Sequence, residues 1–311
     1  MNKETLFTMK SPYREDFKIE GYYFGSGEKS CCIVGSIRGN EVQQLYVCSQ
    51  IIRILTELER LGKIVDNHKI LVVPSANPYS MNISKRFWAQ DNTDINRMFP
   101  GYNLGETTQR IADGLFNSVQ GYMYGIQFAS FYIPGDFIPH VRMMNTPFQT
   151  PDLANAFGLP YIVIRNPKPV DTTTLNYNWQ LWNTKAFSVY TNETEHIDEV
   201  SAKEAISAIL RFLSNMGIIE YRCHNGYATN TVMEDSLLPI KTSCAGIYKR
   251  INQPCDEIKK GDVMAEIIHP YEGVTIEKII APCDGIVFFA HKSPLVMQNS
   301  VVYKVIPYSH Y

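Results

Sequence analysis

The 311 residues contain no apolar run approaching the roughly 20 residues a membrane span requires. Nor is there a block of Lys and Arg: 29 basic against 31 acidic residues leave a net charge of -2, without the electrostatic footprint of a nucleic-acid surface. The opening residues, MNKETLFTMKSPYREDF, lack the apolar core of a secretory signal. The seven cysteines are an odd number with no CxxC pair, which argues against a disulfide framework and a zinc knuckle alike. Cys223, Cys244, Cys255 and Cys283 with His224 are numerous enough for a metal, but their spacing is not that of structural zinc. Adjacent Cys31 and Cys32 sit in an apolar run, where reduced thiols act as small hydrophobes. These absences predict a cytoplasmic protein with neither nucleic acid nor membrane as partner.

An apolar fraction of 45% and a charged fraction of 19% describe a globular chain long enough for one large domain and a small one. CCIVGSI (31–37), KILVVPSA (69–76) and LPYIVIR (159–165) read as strands buried on both faces. GYMYGIQFASFYI (121–133) and AFSVYTN (186–192) read as further strands. Amphipathic patterns predict helices over about 41–62, ending at Gly62, over 104–120, and over 198–216, with Asp198 as N-cap. Alternating strands and helices predict an α/β sheet flanked by helices, with ligands beyond the carboxyl ends of the strands. After about residue 225 the segments become short, β-rich and broken by turns such as KKGD and APCDG. The expected division is an α/β domain over 1–225 and a small all-β barrel or sandwich over 226–311.

Two stretches carry candidate chemistry. GSIRGNE (35–41) hands a strand over to a helix and holds Arg38 and Glu41 three residues apart. NPYSMNISKRFWAQDNTDINRMFPG (77–101) holds Arg86, Asp94, Asn96 and Arg97 in loop-like surroundings. Guanidinium groups can hold a carboxylate by two parallel hydrogen bonds, so an anion clamp is one reading, and solvated surface arginines are the plainer one.

The pattern NP…R[FY]…D[IL]NR.FPG, following a strand and a Gly-Asn-Glu turn, resembles the succinylglutamate desuccinylase/aspartoacylase family. The likeness extends through 31–61 and 69–101, and on to AGIYKRINQPCDEIKKGDVMAEI and IIAPCDGIVFFAHKSPLV near the C-terminus. The resemblance implies a zinc-carboxypeptidase-like mixed sheet flanked by helices, with an appended β-domain, and a zinc-dependent deacylase activity. It also implies that Arg86 polarises a scissile carbonyl and that Asn96 and Arg97 grip a substrate carboxylate.

The metal positions depart from the family. Its first turn reads His-Gly-x-Glu, and here the histidine is Arg38, while Glu41 keeps the glutamate. Arginine has no lone pair to offer a metal. Aligning GIQFAS (125–130) with the family's third-ligand strand puts Ala129 at the second histidine. On that register His140, in PHVRM (139–143), lines the pocket beside Arg38, and a shifted alignment would instead make it a ligand. Counting back from Ile197 puts Tyr190 at the catalytic glutamate, with Glu193 and Glu195 as loop carboxylates that could stand in for it. One secure ligand does not make a catalytic zinc site, so no cofactor is expected here, although the family uses zinc. Arg38 is then read as replacing the metal's charge by pairing with Glu41, the alternative being that it points to solvent.

Three functions remain open. The first is a metal-free binder of a small anion such as an N-acyl amino acid. The second is an active zinc deacylase with re-sited ligands (Glu41, His140 and Glu193 or His196), and the third is a structural protein with a vestigial pocket. EKIIAPCDGIV also resembles lipoyl and biotinyl carrier domains, but HPYEGVT has no lysine where theirs is modified. A lid or a homo-oligomer contact suits the β-domain better. YNWQLW (177–182) is read as loop or core packing ahead of a pocket lining, and His68, His224, His269, His291 and His310 as surface residues.

Overall fold

A computed structural model describes residues 1–13, 15–148 and 151–308. The chain forms two compact units, Met1–Ser130 with Pro139–Thr231, and Phe131–Ile138 with Val232–Tyr311. The second unit thus takes in a segment from the middle of the chain, which a single cut at 225/226 does not anticipate.

In chain order the elements are β1 (Asn2–Met9), β2 (Phe17–Gly25), β3 (Glu28–Ser36), α1 (Val42–Arg60), β4 (His68–Ser75), α2 (Pro78–Met81), α3 (Thr107–Val119) and β5 (Tyr124–Ala129). They continue with β6 (Gly135–Phe137), β7 (His140–Met144), β8 (Tyr161–Arg165), α4 (Leu175–Leu181), β9 (Lys185–Tyr190), α5 (Glu199–Asn215) and β10 (Asn230–Met233). The sheet of the first unit runs β1-β2-β4-β3-β5-β9-β7-β8. Its centre, β4-β3-β5-β9, is parallel, whereas β2 joins β4 and β7 joins β9 antiparallel. The sheet is therefore mixed.

Alternation along β3 explains why its run is apolar throughout. Cys31 and Ile33 enter one core with α1 and α5, and Cys32 and Val34 enter another with α3, α4 and the 76–99 segment. A strand covered on both faces has no solvent side to make polar. Helix α1 buries Val47, Ile51, Leu55 and Leu58 at helical spacing. It stops where Gly62 takes φ +66°, a conformation glycine adopts without a Cβ clash. Asp198 accepts hydrogen bonds from Val200 N and Ser201 N and so caps α5.

The strand expected over 121–133 ends at Ala129, and the aromatic run after it belongs to the second unit. YNWQLW lies in and just beyond helix α4, which buries Trp179. In the second unit, β11 (Leu238–Lys241), β18 (Val301–Pro307), β16 (Gly285–His291) and β13 (Glu257–Ile258) form one sheet, which β6 joins through β16. A second sheet orders β15 (Thr275–Ile280), β14 (Val263–Ile268), β12 (Gly246–Arg250) and β17 (Leu295–Val296). Met264, Ile267, Val287, Val302 and Val305 fill its core.

Candidate functional site

Strand β3 delivers its last residues into the turn Ser36–Glu41, and α1 begins immediately beyond. The turn is pinned by close approach: a Cβ on Gly39 would lie 2.4 Å from the carbonyl oxygen of Lys85 and 2.6 Å from the Ser80 side chain. Gly39 N donates to Arg86 O at 3.1 Å. The two stretches singled out in the sequence are therefore packed backbone to backbone.

Arg38 does not point to solvent; it is 4% exposed. Its Nη1 donates to Glu41 Oε1 at 3.2 Å. Its Nε and Nη2 form a two-pronged contact with Asp94, at 3.1 Å to Oδ1 and 2.8 Å to Oδ2. Burial taken alone would favour the neutral guanidine, but the charges of Asp94 and Glu41 outweigh it and hold the Arg38 pKa above its ordinary value. Asp94 also accepts from Asn96 N at 3.0 Å, so it caps the turn that carries Asn96 and Arg97. The arginine's second partner lay 56 residues away in sequence.

Glu41 is committed on both oxygens. Oε2 accepts from Ile37 N at 2.9 Å and Arg38 N at 3.0 Å, while Oε1 accepts from Arg38 Nη1 and from the Ser130 hydroxyl. A carboxylate offers about four lone-pair positions, and here each has a donor. The zinc implied by the family resemblance does not fit these residues. The one carboxylate at the turn is saturated by donors, and its neighbour is a cation without a lone pair. Among the described residues, no three His, Cys, Asp or Glu side chains group so as to hold a metal, and the re-sited set of Glu41, His140 and Glu193 or His196 is not assembled.

Ala129 and Tyr190, the positions counted as second histidine and catalytic glutamate, are register partners at the ends of β5 and β9. His140 stands opposite Tyr190 across the antiparallel β7–β9 pair, its ring stacked on the tyrosine with centroids 4.7 Å apart. Arg142 Nη1 donates to the Tyr190 hydroxyl at 2.9 Å, and its guanidinium lies 4.4 Å from the ring centre. Where the resemblance expects a base, the chain has a phenol packed by an imidazole and an arginine.

The remaining candidates are dispersed. Arg86 is half-buried, and burial followed by the nearby charge of Arg38 lowers its pKa. Asn96 Oδ1 accepts from Leu175 N at 3.2 Å, anchoring the start of α4. Arg97 Nη1 donates to Val170 O at 2.8 Å and lies 3.7 Å from Asp171 Oδ1. Both thus hold groups of the chain itself. Glu193 Oε1 accepts from Thr194 N at 2.9 Å and Glu195 N at 3.2 Å, closing its own turn. Glu195 Oε1 accepts from Asn40 Nδ2 at 2.8 Å, which brings the 192–198 loop against the Arg38 turn. Asp94 and Ser130 were not singled out as partners of this site by sequence reasoning. The Asp in DINR was the available signal for the first, and nothing marked the second.

Residues 28–216 match the family model described as the succinylglutamate desuccinylase/aspartoacylase catalytic domain. No curated protein matches the chain. Among solved structures, the fold is similar to a succinylglutamate desuccinylase/aspartoacylase from Rhodobacter sphaeroides, with TM-score 0.77 and 19% identity over 95% of this chain and 91% of that one. A succinylglutamate desuccinylase from Silicibacter sp. TM1040 gives TM-score 0.81 at 16% identity, covering 97% and 92%. The product-bound ectoine utilization protein EutE (DoeB) from Ruegeria pomeroyi gives 0.77 at 17%, covering 93% and 89%. The chain belongs to the succinylglutamate desuccinylase/aspartoacylase family.

Proposed function

We propose that this chain is a non-hydrolytic member of its family that binds a small carboxylate, such as an N-acyl amino acid, through Arg86. The observation carrying the proposal is the Arg38 guanidinium held between Glu41 and Asp94 at the turn where the resemblance expects a metal. A permanent cation offsets one of the two carboxylate charges there, and it can neither activate water nor accept a carbonyl oxygen into an open coordination position. The absence of a carboxylate at Tyr190 supports the same reading, because general-base catalysis needs a proton acceptor poised near neutrality. Glu193 is occupied in its own turn.

The ligand contact is assigned to Arg86 on its exposure and on the role the resemblance gives it. This residue is partly exposed, and its neighbour Arg38 is already matched by two carboxylates. Arg97 and Asn96, with internal partners at Asp171, Val170 and Leu175, take a supporting role that keeps the DINR turn in place.

The test is calorimetric titration of the purified protein with N-acetylglycine and, as control, its uncharged amide. Binding of the acid alone, lost in Arg86→Gln, is the expected result. Acetate release followed by proton NMR, with and without added zinc, should stay at the buffer rate. Release that scales with protein concentration, or binding untouched in Arg86→Gln, would refute the reading.

A further inference from the structure

The Arg38 turn stands at the first end of α1, and the last end of the same helix borders an open groove of about 730 Å³. With 19 residues at about 1.5 Å each, α1 sets the two places roughly 28 Å apart. The facing wall is the segment that follows α5. Ile64 and Ile219 form an antiparallel bridge, and Glu220 N donates to Lys63 O at 2.8 Å, so the wall is held by backbone bonds. Both walls belong to the first unit.

The apolar lining comes from Ile54, Leu58 and Leu61, one stripe of α1 at helical spacing, and from Tyr221 across the groove. Leu58 is buried and Ile54 half-buried, whereas Leu61 and Tyr221 keep 50% and 37% of their surface exposed. Three exposed cations line the same groove, Arg53, Lys63 and Arg222. Arg53 Nε donates to the neutral Gln50 side chain, and among the described residues neither Lys63 nor Arg222 has a carboxylate within ion-pair distance. Of the two carboxylates in the lining, Glu57 is held by Arg60 through two hydrogen bonds. Glu220 stands opposite Lys63 across the bridge. Even with these two set against each other, Arg53 and Arg222 are left for an anion.

We propose that this groove binds a single-chain anionic amphiphile, a fatty-acid-type carboxylate, with its alkyl chain along Leu58, Leu61 and Tyr221 and its head held by Arg53 and Arg222. Volume, apolar walls and a few charges of one sign are the make-up of a small-ligand site. An acidic peptide would meet the same cations, but it brings backbone amides and carbonyls that apolar walls leave unpaired. An alkyl chain buries only methylenes there. The proposal is independent of the Arg86 reading.

The test is calorimetric titration of the native chain with octanoate, decanoate and dodecanoate below their micelle concentrations, and with octanol as the uncharged counterpart of octanoate. Affinity should rise about two- to fourfold per methylene, since full burial of a CH₂ is worth about fourfold and this groove is open. Decanoate should bind Arg53→Gln/Arg222→Gln about three- to tenfold more weakly, the scale of two exposed charge contacts. The gain per methylene should flatten in Leu61→Ser. These substitutions fall at exposed positions, and unchanged urea midpoints would show that the fold is kept. Arg86→Gln should leave decanoate affinity as it is. No binding, affinity independent of chain length, or octanol binding as tightly as octanoate overturns the proposal. So does unaltered affinity in both groove variants, or loss in Arg86→Gln, which would move the chain to the other pocket. Binding of poly-glutamate but not of decanoate would give the groove to an acidic peptide. A dimer in sedimentation velocity that Leu61→Ser disperses would give it to a second copy, and either result overturns the amphiphile.

Discussion

Replacing Arg38 by methionine keeps an unbranched apolar stem and removes the guanidinium with its charge and five donors. Glu41, 1% exposed, would lose one of four hydrogen bonds and its counter-ion, while Asp94 would lose a two-pronged partner and keep Asn96 N. Removing one partner of a buried ion pair costs about 3–5 kcal/mol, because the other charge is left uncompensated. The lower end applies, since two backbone N–H groups and Ser130 still solvate Glu41. About 3 kcal/mol corresponds to a melting temperature lower by roughly 6–12 °C for a unit of this size. Urea unfolding followed by tryptophan fluorescence reads the relevant unit, because all three tryptophans, Trp88, Trp179 and Trp182, lie in Met1–Ser130 with Pro139–Thr231. Arg60→Met, which breaks an exposed pair with Glu57, is the control and should cost about 0.5 kcal/mol or less. Combining Arg38→Met with Glu41→Gln should cost less than the sum of the two, with a coupling of about 1–3 kcal/mol. A loss in Arg38→Met no larger than in Arg60→Met, or full additivity, would refute the idea that this guanidinium neutralises the turn.

Gly39→Ala should destabilise by about 2 kcal/mol or more, measured in the same unfolding assay, because its methyl group would press on Lys85 O and Ser80. In the second unit, burial and then the charge of Arg250 push the His291 imidazole below its ordinary value; Tyr248 packs on its ring, and Asp136 and Lys292 complete the local charges. The unfolded chain then binds the proton more readily, so the stability His291 contributes is complete above about pH 6.5 and is lost as pH falls below it. Thermal scans between pH 7.5 and 5 should show a fall that flattens in His291→Leu. Burial also raises the thiols of Cys31, Cys32 and Cys48, so a maleimide at pH 8 should label exposed Cys255 in the native protein and reach those three only after denaturation.

What could be read from sequence follows from how locally each feature is determined. Strands β3, β4 and β8 are legible because a strand buried on both faces must be apolar throughout, and α1 and α5 because their caps, Gly62 and Asp198, are written beside them. The β1–β2 hairpin was missed: β1 is largely exposed, and KETLFTM has neither a clean alternation nor an apolar run. Helix α4 was missed because Tyr, Asn and Trp are indifferent helix formers, and tertiary packing of Trp179 decides the matter. In the site, Arg38 and Glu41 are neighbours on one turn and their pairing could be proposed. Asp94 supplies the stronger contact across 56 residues, and only the fold brings it there. The same holds for Ser130 and for Glu195 against Asn40. The roles assigned to Asn96 and Arg97 rested on residue type and the resemblance, and their partners in the structure, Leu175, Val170 and Asp171, lie on a segment whose approach no local pattern announces.

The exchange of a metal for a guanidinium is not electrostatically neutral, and this decides where an anion can bind. A dication beside Glu41 and Asp94 would leave the centre without net charge and with an open position for a ligand oxygen. Arg38 between the same two carboxylates leaves a net negative charge, with Nε, Nη1 and Nη2 each donating to one of them. Such a centre repels a carboxylate instead of recruiting it. Anion recognition would then have to move outward from the buried group, and Arg86, half-buried beside it, is the residue proposed above for that contact. The same reasoning ranks the variants. Arg38 substitutions should act mainly on stability, Arg86 substitutions mainly on ligand affinity, and a variant in which the two effects exchange places would show that the centre has not been sealed.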